Sequence, residues 1–420
     1  MSRIGIVYPR ANIDTVSSLT GAAEAFAEHG YDVELFTYTR AGQPAPAFSS
    51  PRIRLRTLGV EGLADHSTAG VRSFVKRAGW LPGAARAPLA RGYSALGAGL
   101  AHGARLAARA RGAVLEGSAD PFACVIGVDP DGLALAQQIA HGAPVGYYSL
   151  ELLLSYEIGS SAEHQLKAQE RTLSRQAAFV VVQDEARARL LADDNGIDWP
   201  RLVLVPNAPL GPARRQPSRY WHARFQLPAE AQVVVHSGSL GDWTGIEAIV
   251  DSVVDWPADW VLVVHTRYDA ESSAYVDDLR RRADAARVWF SLRPVSRQDY
   301  DPLIDGAEVG LAFYVSSLGS SFTQRNVQTI GLSSGKLAYY LRSGLPVIVN
   351  RAASIAELVE ATRCGVAVDD AVGIGPALGR ISDGYAGYSA RACAFFEERL
   401  DFRRAFDEVV RRVDALRGAA

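Results

Sequence analysis

The chain of 420 residues has almost no lysine. Of its 44 basic side chains only Lys76, Lys167 and Lys336 are lysine, and the other 41 are arginine. Arginine therefore serves at ordinary surface positions, and each surviving lysine becomes a candidate for chemistry that wants a compact, mobile ammonium. Cysteine is as scarce. Cys124, Cys364 and Cys393 are odd in number and far apart, which excludes a disulfide framework or a CxxC metal pair and makes a reducing cytoplasm the expected setting. The eight histidines show no HxxxH or HExxH spacing, so no zinc site is expected. No apolar run reaches the length of a membrane span. The first residues run directly into a strand, so no signal peptide is expected. A formal net charge of −2 argues against a dedicated nucleic-acid binder.

One absence is local. No Asp or Glu occurs from His66 to Leu115, while Arg72, Lys76, Arg77, Arg86, Arg91, Arg105, Arg109 and Arg111 do. Two readings stand for residues 71–111: a basic, partly apolar stretch that meets an anionic membrane or an anionic acceptor, or a solvated helical excursion.

What is present is globular: 48% hydrophobic and 21% charged residues, with length for two domains. The first half alternates strands (4–8, 33–37, 53–57, 122–128, 144–149, 179–182, 202–205) with helices (16–29, 131–141, 165–176, 185–192). Residues 206–228, rich in Pro and Arg, read as an interdomain linker. A second alternating series follows from 233 to 360, and a charged helical tail closes the chain. The expectation is α/β: two doubly wound Rossmann-like domains facing a cleft, with a first domain over 1–210, a second over 211–385, and C-terminal helices over 386–420 that pack back on the first. Ligands in such sheets bind beyond the carboxyl ends of the strands.

Lys336 stands at the start of a helix between a loop and a buried strand. Ser333 or Ser334 can cap that helix, leaving first-turn N–H groups to face an anion. Lys336, Tyr339 and Ser343 share one helix face, and Leu337, Tyr340 and Leu341 the other. The loop is not a P-loop: the glycine spacing is one residue short and Leu337 replaces the Mg²⁺ hydroxyl. The glycine loop 236–245, with Gly238 and Ser239, opens another helix and permits close backbone approach; a structural turn is the plainer reading of it alone. In the first domain, Glu151 emerges at a strand's carboxyl end, where a carboxylate can act as base or offset positive charge. Asp129 and Asp131 precede a helix and read first as caps.

These segments, in this order, resemble a GT-B glycosyltransferase, most closely the retaining family 4 group. Ser333-Ser-Gly-Lys-Leu-Ala-Tyr-Tyr-Leu-Arg-Ser-Gly-Leu-Pro-Val-Ile348 is similar to the family's donor-site helix. Val288-Trp-Phe-Ser-Leu-Arg-Pro-Val295 is similar to the segment that meets the nucleotide base. His236-Ser-Gly-Ser-Leu240 resembles the glycine loop below the diphosphate, and Ser354-Ile-Ala-Glu-Leu-Val359 the element carrying a recurrent acid. Tyr147-Tyr-Ser-Leu-Glu-Leu152 resembles a His-Glu-Leu segment, and Val205-Pro-Asn-Ala208 a Pro-Asn junction. The resemblance implies a nucleotide-diphosphate sugar as donor substrate, no other cofactor and no metal. It implies catalytic roles for Glu151 and Lys336, and donor binding by Gly238, Ser239, Arg293, Ser333, Ser334, Gly335, Tyr339 and Glu357. The acceptor, a sugar, a lipid-linked molecule or a small molecule, is expected at Asp14 and Asp129 beside Glu151. The chain departs from the pattern: Tyr339 replaces the helix glutamate, the earlier glutamate falls near Gly331, Ser239 replaces the loop arginine, the following lysine falls near Thr244, and Leu150 replaces the histidine. A nucleotide-sugar epimerase on the same fold and a non-catalytic sugar-nucleotide-binding partner are the alternatives. The expected location is cytoplasmic, or peripheral to the inner membrane face through residues 71–111.

Overall fold

The computed structural model describes residues 2–40, 48–61, 121–316, 324–351 and 354–418. The basic stretch 71–111 lies outside them. The chain divides into two compact units, Met1–Leu204 with Phe406–Ala420, and Val205–Ala405.

In the first unit the strands are β1 (Arg3–Tyr8), β2 (Asp32–Arg40), β3 (Ile53–Glu61), β4 (Phe122–Val128), β5 (Val145–Tyr148), β6 (Val180–Val182) and β7 (Leu202–Leu204). They form one parallel sheet in the order β3-β2-β1-β4-β5-β6-β7. Parallel sheets are covered on both faces, so their strands read as continuous apolar runs; Ile4, Ile6, Val7, Val125, Ile126, Val180 and Val181 are all buried. Local signals place the helices between them. Ser160 and Glu163 form a reciprocal capping box at the helix Ser161–Gln176. Asp184 caps Glu185–Asn195, and Gly196 in the left-handed region ends it. The last helix, Phe402–Gly418, gives its residues from Phe406 onward to this unit. There Phe406 meets Phe26 edge-to-face at 5.1 Å, and the Tyr31 hydroxyl bonds Asp414.

The second unit repeats the plan with β8 (Gln232–Gly238), β9 (Trp260–Thr266), β10 (Val288–Ser291), β11 (Val309–Ala312), β12 (Val347–Asn350) and β13 (Gly365–Val368). Their order is β10-β9-β8-β11-β12-β13, again parallel. In each sheet the winding reverses beside the unit's first strand, between β1 and β4 and between β8 and β11. Such a switch point opens a crevice at the strands' carboxyl ends.

One expectation is corrected here. Residues 206–228 are not an interdomain linker. They belong to the second unit and contain the helix Tyr220–Phe225, whose Trp221 is fully buried and stacks on Phe225 at 5.7 Å. Pro-rich composition marked the bends but not the tryptophan anchor between them. The helix Ile374–Asp383 lies between the alternating series and the helical tail read from the sequence. It forms because Ile374, Ala377, Leu378 and Ile381 make one buried stripe, and tertiary burial overrides weak propensity.

Candidate functional site

The helix Gly335–Arg342 begins at the switch point of the second sheet. Ser334 is its cap, with Oγ accepting the Leu337 N–H at 3.2 Å. Ser333 closes the preceding turn instead, its hydroxyl donating to the Ile330 carbonyl. The Ser334 N–H already reaches the Gly331 carbonyl. The first-turn N–H groups left for a ligand are therefore those of Gly335 and Lys336. The apolar helix face is anchored by Tyr340, which is fully buried and accepts the Ser237 N–H at 2.7 Å. The Tyr340 ring fits because β11 carries Gly310 there; a Cβ on Gly310 would lie 2.3 Å from it.

Lys336 is on the opposite face and partly buried. Its ammonium stands 4.8 Å from the centroid of the Tyr314 ring, at the end of β11. Gly238 closes β8 with a φ of 150°, and a Cβ there would lie 3.5 Å from Lys336 Cε. The lysine thus lies between the ends of the two strands where the sheet reverses. Among the described residues no carboxylate pairs with it. Burial, with the Arg267 guanidinium near it, lowers its pKa from 10.5 to about 7. Arg267 follows β9 and donates to Ser239 Oγ at 3.3 Å. His236 lies fully buried on β8; burial and the Lys336 charge hold it well below 6.5, hence neutral. Asn207 ties the chain to this helix start, its N–H bonding the Leu332 carbonyl and its side-chain amide the Ser333 carbonyl.

Gly238, Ser239, Ser334, Gly335 and Lys336 are therefore brought together. Tyr339 joins them on the helix face and packs edge-to-face on Tyr300 at 4.6 Å. Arg293 is 71% exposed after β10 and lies 3.8 Å from Glu271. Glu357 is exposed in the first turn of the helix Ser354–Thr362. No hydrogen bond or ion pair links either one to Lys336. Arg267 and Tyr314 were missed by sequence reasoning. Each stands just past the carboxyl end of a strand, but its nearness to the switch point is set by sheet order and not by local sequence.

In the first unit, Asp14 is exposed in the short turn Ile13–Thr15 after β1, and Glu151 is exposed after β5. Asp129 does not cap a helix by its side chain, as its position before a helix had implied. The helix Asp129–Ile139 starts at Asp129 itself with no side-chain cap bond. The buried Asp129 carboxylate instead accepts the N–H groups of Leu150 and Glu151, at 2.9 and 3.0 Å, and pairs with Arg10 at 3.1 Å. Asp131 accepts its neighbour's N–H, that of Gly132. Among the described residues no group of three or more His, Cys, Asp or Glu side chains is placed to hold a metal ion, and no helix is long and apolar enough to cross a membrane.

Comparison with known proteins agrees with this architecture. Residues 316–400 match the family described as glucosyltransferase 3-like, C-terminal domain, a segment that includes the Lys336 helix. No curated protein matches the sequence. Solved structures match over the whole chain. Sucrose-phosphate synthase from Thermosynechococcus elongatus superposes with a TM-score of 0.65 at 15% identity, covering 100% of both chains. The Anabaena protein HepE in complex with UDP-glucose gives 0.65 at 14% identity, covering 99% of this chain and 100% of that one. The UDP-forming α,α-trehalose-phosphate synthase from Burkholderia xenovorans, in complex with glucose-6-phosphate, gives 0.66 at 14% identity with the same coverage. The shared property is the fold, two Rossmann-like units of the GT-B type.

Proposed function

We propose that the protein is a glycosyltransferase that moves a sugar from a nucleotide-diphosphate sugar to a hydroxyl acceptor, with retention of configuration and without a divalent metal. The observation that carries this reading is Lys336: a cation without a carboxylate partner among the described residues, set at a switch point beside a glycine loop and a helix N-terminus. The second unit would hold the donor. As the bond from sugar to diphosphate breaks, negative charge grows on the leaving phosphate. The Lys336 ammonium and the N–H groups of Gly335 and Lys336 would meet that charge, already in place and partly shielded from water. Removing one such group costs about 10²–10³ in rate. Arg267 adds a guanidinium beside Ser239, where the resembled family carries an arginine in the loop itself. In the first unit Glu151 would face the acceptor. The UDP and UDP-glucose complexes of a structural relative make UDP-glucose the first donor to try.

A second reading, a sugar-nucleotide-binding partner without turnover, is favoured by one observation: Tyr339 stands on the helix face where the resembled family carries a glutamate. That same loss counts against an epimerase. A thermal-shift series with UDP, UDP-glucose and other nucleotide sugars tests both readings, since a ligand at 100 times its Kd adds about 2.7 kcal/mol. Binding followed by acceptor-dependent UDP release supports the transferase. Binding without turnover or donor hydrolysis supports the partner reading. No shift with any nucleotide sugar contradicts both.

A further inference from the structure

The backbone that presents Glu151 is held by buried side chains from the strands on both sides of it. Asp129, at the end of β4, takes the N–H groups of Leu150 and Glu151. Gln183, just past β6, donates its amide to the Ser149 carbonyl at 2.6 Å. Arg187, in the helix Glu185–Asn195, donates to the Leu150 carbonyl at 2.8 Å. Asp129, Gln183 and Arg187 are each only 1% exposed. Arg10, after β1, closes the outer side by pairing with Asp129. Four consecutive strands of the sheet, β1, β4, β5 and β6, thus contribute at one end to fixing three residues of backbone.

This arrangement is costly to build. Asp129 sits at a φ of 57°, a region that non-glycine residues visit seldom. Burial of the Arg187 guanidinium depresses its pKa, opposed by Glu151, Asp184 and Asp129. A buried charge removed from water needs partners of good geometry, and here those partners include backbone groups of a single loop together with the Arg10 guanidinium beside Asp129. Neutral side chains would fill the space at less expense, so packing alone does not account for the charges. We infer that Asp129, Gln183 and Arg187 are positioning residues that set where the Glu151 carboxylate points for the reaction at the acceptor. The inference rests on the proposed role of Glu151, but the clamp itself can be tested apart from it.

The experiment has two arms on the full-length protein. Amide hydrogen exchange reads the clamp directly. Leu150 and Glu151 N–H groups are protected in the wild type and lose protection in Asp129→Ala, which removes the oxygen that accepts both, while Ser237 in the other unit is unchanged. Unaltered protection at both amides in that variant overturns the clamp. The kinetic arm is a double-substitution cycle on sugar transfer. Arg187→Lys and Asp129→Asn each lower kcat, by up to about 10² for a displacement near 1 Å, with the Kd for UDP within twofold. In a Glu151→Gln background the same substitutions add less than about threefold, because they act through the residue already changed. Equal losses in both backgrounds overturn the positioning role and leave a merely structural one. If Arg187→Lys does not fold, Asp129→Asn carries the cycle, since it keeps shape and one acceptor oxygen. Full activity in Glu151→Gln alone would overturn the proposed role of Glu151 and with it the kinetic half of this inference, and the exchange arm would still decide the clamp.

Discussion

The Tyr314 ring lies 4.8 Å from the Lys336 ammonium, and the Tyr314 hydroxyl pairs with Ser334 Oγ at 2.6 Å, the oxygen that caps the lysine's own helix. One side chain thus steadies both the cation and the helix start. Tyr314→Leu removes both interactions. A cation–π contact contributes about 0.5–2 kcal/mol, so UDP affinity should fall several-fold by calorimetry. Tyr314→Phe keeps the ring and should change affinity less than Tyr314→Leu does, while lowering Tm through the lost hydroxyl pair.

The pH dependence follows from the depressed Lys336 pKa. In the unliganded protein the ammonium is half charged at about 7, is fully charged only well below that value, and is lost as pH rises through it. A diphosphate binds the charged form. The Kd for UDP-glucose, whose diphosphate does not titrate in this range, should therefore be level below about pH 6 and weaken above 7, by up to about tenfold per unit, until the bound-state pKa is reached. Buried His236 is neutral throughout this window, so it does not mask the slope. Stability of the unliganded protein runs the other way. Its folded state binds fewer protons than the unfolded chain between about 7 and 10.5, so the Lys336 contribution to stability rises with pH there. Lys336→Met should remove that part of the rise in pH-dependent urea unfolding.

Much of this was legible in sequence, and the reasons are specific. Strands such as β4 are apolar throughout because both faces are covered, so the range 122–128 could be read off directly. A serine cap, at Ser333 or Ser334, and the Lys336 helix were readable because capping and helix periodicity are local. Lysine scarcity alone did not separate Lys336 from Lys167. The structure does. Lys167 is buried and paired with Glu170 at 2.9 Å and Asp194 at 2.7 Å, whereas Lys336 has no carboxylate partner among the described residues. Arg267, Tyr314 and Arg187 were not legible, because their meaning depends on strand order, and order in a doubly wound sheet is not a local property. The same reason hid the role of Asp129, whose partners lie 21 and 22 positions further along the chain.

Gly310 and Tyr340 test the platform beneath the helix. Gly310→Ala drives a methyl into the Tyr340 ring and should destabilise the protein by about 1–3 kcal/mol. Tyr340→Phe leaves the buried Ser237 N–H without its acceptor, at a similar cost of about 1–3 kcal/mol. Urea denaturation checks both, and UDP affinity should fall in Gly310→Ala if the Lys336 helix shifts with the ring.

Sugar transfer should proceed in excess EDTA. Lys336 lies beside Gly238 and Arg267 beside Ser239, so two basic groups of the protein stand at the start of the glycine loop. Loss of activity on chelation with recovery on adding Mg²⁺ or Mn²⁺ would count against direct neutralisation by the protein.

Calorimetric titration of UDP into the wild type and into Lys336→Ala at pH 6.5, where the lysine is mostly charged, bears on the central claim most directly. The account predicts at least a tenfold weaker Kd in the variant, about 1.4 kcal/mol, with Tm nearly unchanged. Equal affinities in two folded proteins would contradict it.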